Sequence, residues 1–340
     1  MSEEKRRGPP RAADMAEERT KSGGSSHKTI PQRFTCSDHY PSSRYHAGRK
    51  SAAYIFSIFG ACSSRHQAQL LTSAELLQKT EPKYPIAAML SPTCWQNESF
   101  RHLLDARSIT ALCVPRIANI SCHGPLQRGN FFDEHWTKLN VLNLTGLRVA
   151  FYLDSDLVVR RNIDHVIRQM FDSPILAEAR TPQGCLPASA STAFFNTGAW
   201  AVRPDATDFA RLVRWLRAGN SKCYDGDQSA AVGFWRLPHG PGGRQSRQVL
   251  FLHVGYNMKA DQGPERCLRH HKLNESALHV VHFSGREKPF MHRPGKDAIW
   301  HSARQQYTEV FDQWARRLGV PSTCTAKRLL ATNHGCYKRS

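Results

Sequence analysis

The sequence predicts an α/β fold: a mainly parallel, doubly wound sheet flanked by helices. Three observations carry that expectation. Short apolar runs rich in β-branched and aromatic residues alternate with longer stretches of helical periodicity. The clearest run, Val149 to Leu153 (VAFYL), ends abruptly in charge at Asp154-Ser155-Asp156. At 340 residues and 40% hydrophobic, the chain can bury a full core of ~250 residues and still carry tails.

Residues 1–48 are rich in Arg, Lys, Ser, Gly and Pro with almost no apolar periodicity, and read as a basic disordered tail. Residues 49–300 hold the alternating elements of one domain. Ala52 to Ile58 is the first strand, Gln67 to Gln78 a helix with Leu70, Leu71, Ala74 and Leu77 on one face, and Pro85 to Leu90 a second strand stopped by Ser91-Pro92. Ser99 to Ala106 reads as helix, Thr110 to Val114 as strand, and Glu134 to Leu144 as a helix that delivers Lys138 just before the acidic strand. A short helix over Asn162 to Met170 and a strand over Pro174 to Ala177 follow, then a Pro, Gly and Ser loop over Thr181 to Thr192. Ala193 to Val202 is an apolar strand interrupted by Asn196, Thr197 and Gly198. Asp205 to Ala218 is an amphipathic helix closed by Gly219, and Val249 to Val254 and Ala277 to Phe283 supply later strands. Within 301–320, Gln306 to Leu318 forms a closing helix, and 321–340 is a polar tail.

The formal charge of +19 invites nucleic-acid or membrane binding, but residues 1–50 carry only +5 of it and the remaining +14 is scattered. No aromatic-interleaved basic stripe or known module appears, so a specific nucleic-acid partner is not expected. Anionic sugar nucleotides, acidic acceptors or a membrane surface suit a basic protein equally well. No run reaches the ~20 apolar residues of a membrane helix, and the N-terminus has no apolar leader region, which slightly favours the cytoplasm. Four N-x-S/T sequons, at Asn97, Asn119, Asn143 and Asn274, pull toward the Golgi or ER lumen. Ten cysteines without a C-x-x-C pair give no zinc or redox signature; disulfides and reduced, half-buried thiols both stay open.

Asp154 and Asp156 lie one residue apart on an extended backbone, so their carboxylates share a side at the carboxyl end of a strand, half of a hard-cation site. Asp-Ser-Asp alone is also ordinary turn chemistry. Further polar groups interrupt apolar segments: YDGDQ (Tyr224 to Gln228) in a Gly-kinked turn, HFSGREK (His282 to Lys288) after a strand, Asn196 within a strand and Lys138 on a helix.

With W-T-K-L-N at 136–140, N-L-T at 143–145, F-Y-L-D-S-D-L-V-V-R-R-N-I-D at 151–164, F-F-N-T-G at 194–198, G-D-Q at 226–228, Y-N at 256–257 and H-F-S-G-R-E-K-P-F at 282–290, the chain resembles glycosyltransferase family 8, the glycogenin and galactinol synthase group. The resemblance implies a GT-A (Rossmann-like) nucleotide-diphospho-sugar transferase fold. It implies that Asp154, Asp156 and His282 hold a divalent cation, Mn²⁺ by preference for a mixed oxygen and imidazole set, which neutralises the diphosphate of a UDP-sugar. Lys288 and Gly285 would face the same phosphates, and Lys138, Asn196 and Gly198 the donor sugar. Asp225, Asp227 and Gln228 would line the anomeric face, with Asp227 as nucleophile or oxocarbenium stabiliser.

The implied activity is retaining transfer of a hexose, glucose or galactose, from the UDP-sugar to an acceptor that is a carbohydrate, lipid, polyol or protein. Glycogenin-like relatives often dimerise, so a homodimer is among the implied partners. Glycogenin glycosylates its own tyrosine, but no tyrosine stands between Tyr256 and Tyr307 here, so a separate acceptor is expected. The segment that helps the family hold uracil and ribose is replaced by FGACSSRH at Phe59 to His66. That departure keeps a second reading in view, a catalytically impaired sugar-nucleotide-binding protein of the same fold.

Overall fold

The computed structural model describes Cys36 and residues 51–123, 135–173, 175–182, 185, 195–222, 226–236, 248–284, 289 and 297–320. Contacts divide the chain into Met1–Phe34 and Thr35–Ser340, and every described residue belongs to the second unit.

The strands are β1 Ala52–Ile58, β2 Ile86–Leu90, β3 Ile109–Cys113, β4 Cys122–His123, β5 Val149–Leu153, β6 Leu157–Val159, β7 Leu176–Pro182, β8 Phe195–Val202, β9 Ser221–Lys222, β10 Gln248–Phe251, β11 Met258–Lys259 and β12 Val280–His282. Seven form one sheet in the order β10-β7-β8-β5-β1-β2-β3. Neighbours are parallel except at β8, which runs antiparallel between β5 and β7. From β1 the chain winds outward through β2 and β3, then returns to place β5 on the other side of β1. The β1/β5 boundary is therefore the point where the winding direction reverses, and ligands of such sheets collect at the carboxyl ends of the strands there.

Both sheet faces are covered, which is why the strands read as continuous apolar runs. Along β1, Tyr54, Phe56 and Ile58 face one core with the helices Ser64–Gln78 and Ala298–Arg317, while Ala53 and Ile55 face the other with the helix Ala206–Arg217. Along β5, Phe151 and Leu153 join the first core and Ala150 and Tyr152 the second. Side-chain caps start the helices where the sequence supplies them: Asn97, Asp205 and Asp297 each accept a backbone N–H of the turn that follows. Among the described residues, no helix is long and apolar enough to cross a membrane.

Several expectations are corrected. The predicted helix over Glu134 to Leu144 is a 3-10 segment, Trp136–Asn143. β7 runs on through Thr181 and Pro182, which the sequence placed in a loop, because Thr181 pairs with Asn196 on β8. The helix Gly226–Arg236 replaces a bare turn, and the helix Pro264–His270 has no counterpart in the sequence reading. β6 leaves the acidic loop to pair with β12, which itself pairs with β11 in a small second sheet. The closing helix starts at Ala298, ahead of Gln306, because Asp297 caps it.

The thiol question resolves for six cysteines. Cys36–Cys113, Cys62–Cys94 and Cys185–Cys267 are disulfides, with sequence separations of 77, 32 and 82 residues. Long closed loops remove much unfolded-state entropy, and losing such a bond costs about 2–5 kcal/mol in a small secreted domain. Thermal unfolding with and without a dithiol reductant is expected to show a clear drop in Tm on reduction, and peptide mapping without reductant should recover the Cys62–Cys94 linked pair.

Candidate active site

β5 carries its apolar run to the sheet's carboxyl edge, and the chain then turns through Asp154, Ser155 and Asp156 before β6. Three anchors hold that turn. The Asp154 N–H donates to Gly198 O at 2.8 Å, the Phe283 N–H to Asp156 O at 2.9 Å, and the Tyr307 hydroxyl to Ser155 O at 2.9 Å. The acidic turn is thus clamped between β8, β12 and the closing helix.

β12 delivers His282 to the same place, 2% exposed. Its Nε2 lies 3.1 Å from Asp156 Oδ1 and 3.6 Å from Asp154 Oδ2, and ligand atoms from all three residues fit within 4.8 Å of one another. Two hard carboxylates and one imidazole are a donor set suited to a divalent first-row cation. The ring fits only because residue 198 is glycine: a Cβ there would stand 2.2 Å from His282 Cε1 and 2.7 Å from Asn196 Oδ1.

β8 shapes the opposite wall. Its register against β7 breaks between Arg180, which faces Trp200, and Thr181, which faces Asn196, leaving residues 197–199 without a β7 partner. Such bulges re-aim side chains next to sites. Here the bulge carries Asn196, Thr197 and Gly198 into the crevice, with both polar side chains buried. Asn196 Oδ1 accepts from the N–H of Gly198 at 2.8 Å, and its Nδ2 donates to Gln228 Oε1 at 2.9 Å. That contact leaves the Gln228 amide nitrogen as its donor end.

Lys138 enters from the 3-10 segment and is 6% exposed. Its Nζ lies 2.9 Å from Asp154 Oδ1 and 3.1 Å from Asp227 Oδ2, donates to Thr197 Oγ1 at 3.3 Å, and sits 4.6 Å above the Tyr152 ring. Burial works against its charge, but the two carboxylates outweigh that and raise its pKa. Asp227 opens the helix Gly226–Arg236 and accepts from Thr197 Oγ1 at 2.5 Å, with His135 Nδ1 3.8 Å from its other oxygen. Burial pushes its carboxyl up, while Lys138, His135 and Thr197 together hold it well below the usual carboxylate range.

Of the sequence-predicted site residues, Lys138, Asp154, Asp156, Asn196, Gly198, Asp227, Gln228 and His282 converge here. Asp225, Gly285 and Lys288 lie outside the described residues. Asn257, Thr181 and Thr197 carry no site role in the sequence reading, although Thr197 stands among the residues interrupting the β8 run. Asn257 is fully buried, and its Oδ1 lies 2.8 Å from His282 Nδ1; its place beside Tyr256 in the Y-N pair was the one available signal.

No family model matches the chain, and no curated protein does. Among solved structures it is similar to the WbbM bifunctional glycosyltransferase, with a TM-score of 0.52, 14% identity, and coverage of 84% of this chain and 52% of that one. The chain thus spans about half of WbbM. It is also similar to the galactosyltransferase LgtC, solved in complex with donor and acceptor sugar analogs, with a TM-score of 0.53, 14% identity, and coverage of 77% of this chain and 95% of that one. An active-site mutant of LgtC aligns alike, at 13% identity. At these identities the likeness establishes the fold, the GT-A glycosyltransferase fold.

Two outcomes follow from the geometry. Gly198→Ala forces a side chain into the His282 ring and is expected to cost about 1–3 kcal/mol, as overpacking does; thermal unfolding measures the loss, and a crystal structure of the variant should show the imidazole turned away from Asp156. Asp227 has a depressed folded pKa, so its contribution to stability is complete above its ordinary value near 3.8, declines as pH falls below that, and is gone once pH has fallen through the folded value. Urea unfolding of wild type and Asp227→Asn should therefore show a gap that is steady at neutral pH and closes only in strong acid.

Proposed function

We propose that this protein is a metal-dependent, retaining glycosyltransferase of the family 8 type, moving a hexose, glucose or galactose, from a UDP-sugar to a separate acceptor. The observation that carries the reading is the convergence of Asp154, Asp156 and His282 at the reversal point of the sheet, beside a buried Lys138–Asp227 pair. That likeness of fold to glycosyltransferases supports the reading independently.

Asp154, Asp156 and His282 would hold the cation, Mn²⁺ by its taste for oxygen together with imidazole. When bound, that ion supplies Lewis-acid charge that stabilises the departing diphosphate. The chain's own residues supply the rest. Lys138 keeps Asp227 ionised and holds both Asp154 and Asp227 in place, so neither drifts when substrate enters. The Gln228 amide nitrogen, Asp227 and the crevice wall at Asn196 orient the hexose ring. Because both Lys138 and Thr197 engage Asp227 Oδ2, its charge is dispersed and it is a poor nucleophile. We therefore read Asp227 as stabilising oxocarbenium character, with the acceptor oxygen bonding to C1 on the face from which the phosphate oxygen leaves and passing its proton to that phosphate. Gly285 and Lys288 would extend the phosphate contacts, and Asp225 the sugar side.

Disulfides persist in oxidising compartments, so the paired cysteines favour a secretory lumen over the cytoplasm expected from sequence. Acceptor class and a homodimeric state stay part of the proposal.

The test is UDP release from a panel of UDP-sugars, with and without Mn²⁺, for wild type and Asp156→Ala. Manganese-dependent release from one sugar, lost at least 100-fold in the variant, is the expected result. Manganese-dependent binding of UDP without release, across a panel of sugar, polyol, lipid and peptide acceptors, would establish the sugar-nucleotide-binding alternative instead.

A further inference from the structure

We infer that Asn257 is a positioning residue for His282: it selects which imidazole nitrogen faces the two aspartates, and through that it sets the strength of the cation site. The inference rests on the cation reading given above and adds to it a residue with no contact to the ion.

The logic runs through fixed donors. A backbone N–H cannot be reversed, so the Gly198 N–H, 2.8 Å from the Asn196 amide, identifies the atom it meets as the oxygen. The Asn257 amide group that lies 2.9 Å from this same Asn196 Oδ1 must then be its nitrogen. That nitrogen also donates to Thr181 Oγ1 at 2.9 Å, and the Thr181 hydroxyl has its own proton engaged with Ala199 O at 3.0 Å, so it can accept. With its nitrogen committed twice, Asn257 turns its oxygen to His282 Nδ1 at 2.8 Å. An amide oxygen only accepts, so Nδ1 carries the proton. Nε2 is left to face Asp156 Oδ1 at 3.1 Å and Asp154 Oδ2 at 3.6 Å as the metal-binding lone pair.

Asn257 is 0% exposed, and the His282 ring lies against Gly198, where a Cβ would stand 2.2 Å from its Cε1. The relay also explains why an asparagine interrupts apolar β8: Asn196 passes the polarity of the Gly198 N–H to Asn257 on one side and to Gln228 on the other. The orientation of the cation half and that of the sugar half are therefore set by one backbone donor.

Isothermal titration of Mn²⁺ alone into the full chain tests this, using wild type, Asn257→Ala and Asp156→Ala, each checked for folding by circular dichroism. The expected result is wild-type binding, loss in Asp156→Ala, and roughly 10- to 100-fold weaker binding in Asn257→Ala, the usual cost of an outer-sphere partner. Wild-type binding that Asp156→Ala abolishes and Asn257→Ala leaves unchanged would overturn this inference while sparing the cation reading. Absence of Mn²⁺ binding by wild type would overturn both. Should Asn257→Ala fail to fold, two-bond ¹H–¹⁵N NMR of His282 in the Mg²⁺-loaded wild type decides: a proton on Nδ1 is expected, and a proton on Nε2 refutes the assignment.

Discussion

A buried ammonium must be paired, and the Lys138 charge governs the layout of everything around it. Its two partners come from distant parts of the chain, Asp154 at the end of β5 and Asp227 at the start of the helix Gly226–Arg236. Removing Lys138 leaves the buried Asp227 carboxylate without this cation, a loss of about 3–5 kcal/mol in comparable buried pairs. The pairing therefore pins that helix to the sheet. Asp154 is the shared member: Oδ1 faces Lys138 and Oδ2 faces His282. Three carboxylates and one ammonium leave an excess of negative charge at the crevice, a field that favours a cation there.

Most of the fold was legible because burial on both faces of the sheet writes itself as apolar runs. Ala52 to Ile58 and Val149 to Leu153 could hardly be read otherwise, and Asp205 announced a helix start by its capping chemistry. What escaped was set by pairing rather than composition. Thr181 and Pro182 look like loop residues until β8 supplies a partner, and the helix Gly226–Arg236 begins with a Gly and an Asp that equally suit a turn. β6, only three residues long, exists because β12 lies alongside it.

The site was legible in the same partial way. Asp154, Asp156 and His282 are conspicuous as polar residues ending apolar strands. Asn257 and Thr181 act only through other side chains, and no local pattern distinguishes a buried bridging amide from a surface one. Cysteine pairing was likewise invisible: Cys62 and Cys94 meet because β1 and β2 are neighbours and end at the same edge. That disulfide lies in the Phe59 to His66 segment, where the chain departs from the family it resembles.

The hydrogen bond from Tyr307 to Ser155 spans 152 residues, and His282 reaches Asp156 across 126. A ribosome issues the chain from the N-terminus, and domains tend to fold in that order. β1, β2, β3 and β5 are all made before the helix that steadies the acidic turn, and before the histidine that completes the triad. During synthesis the acidic turn can be held at Gly198 well before Phe283 and Tyr307 are made. Premature termination in that interval leaves the acidic turn without His282, Phe283 and Tyr307.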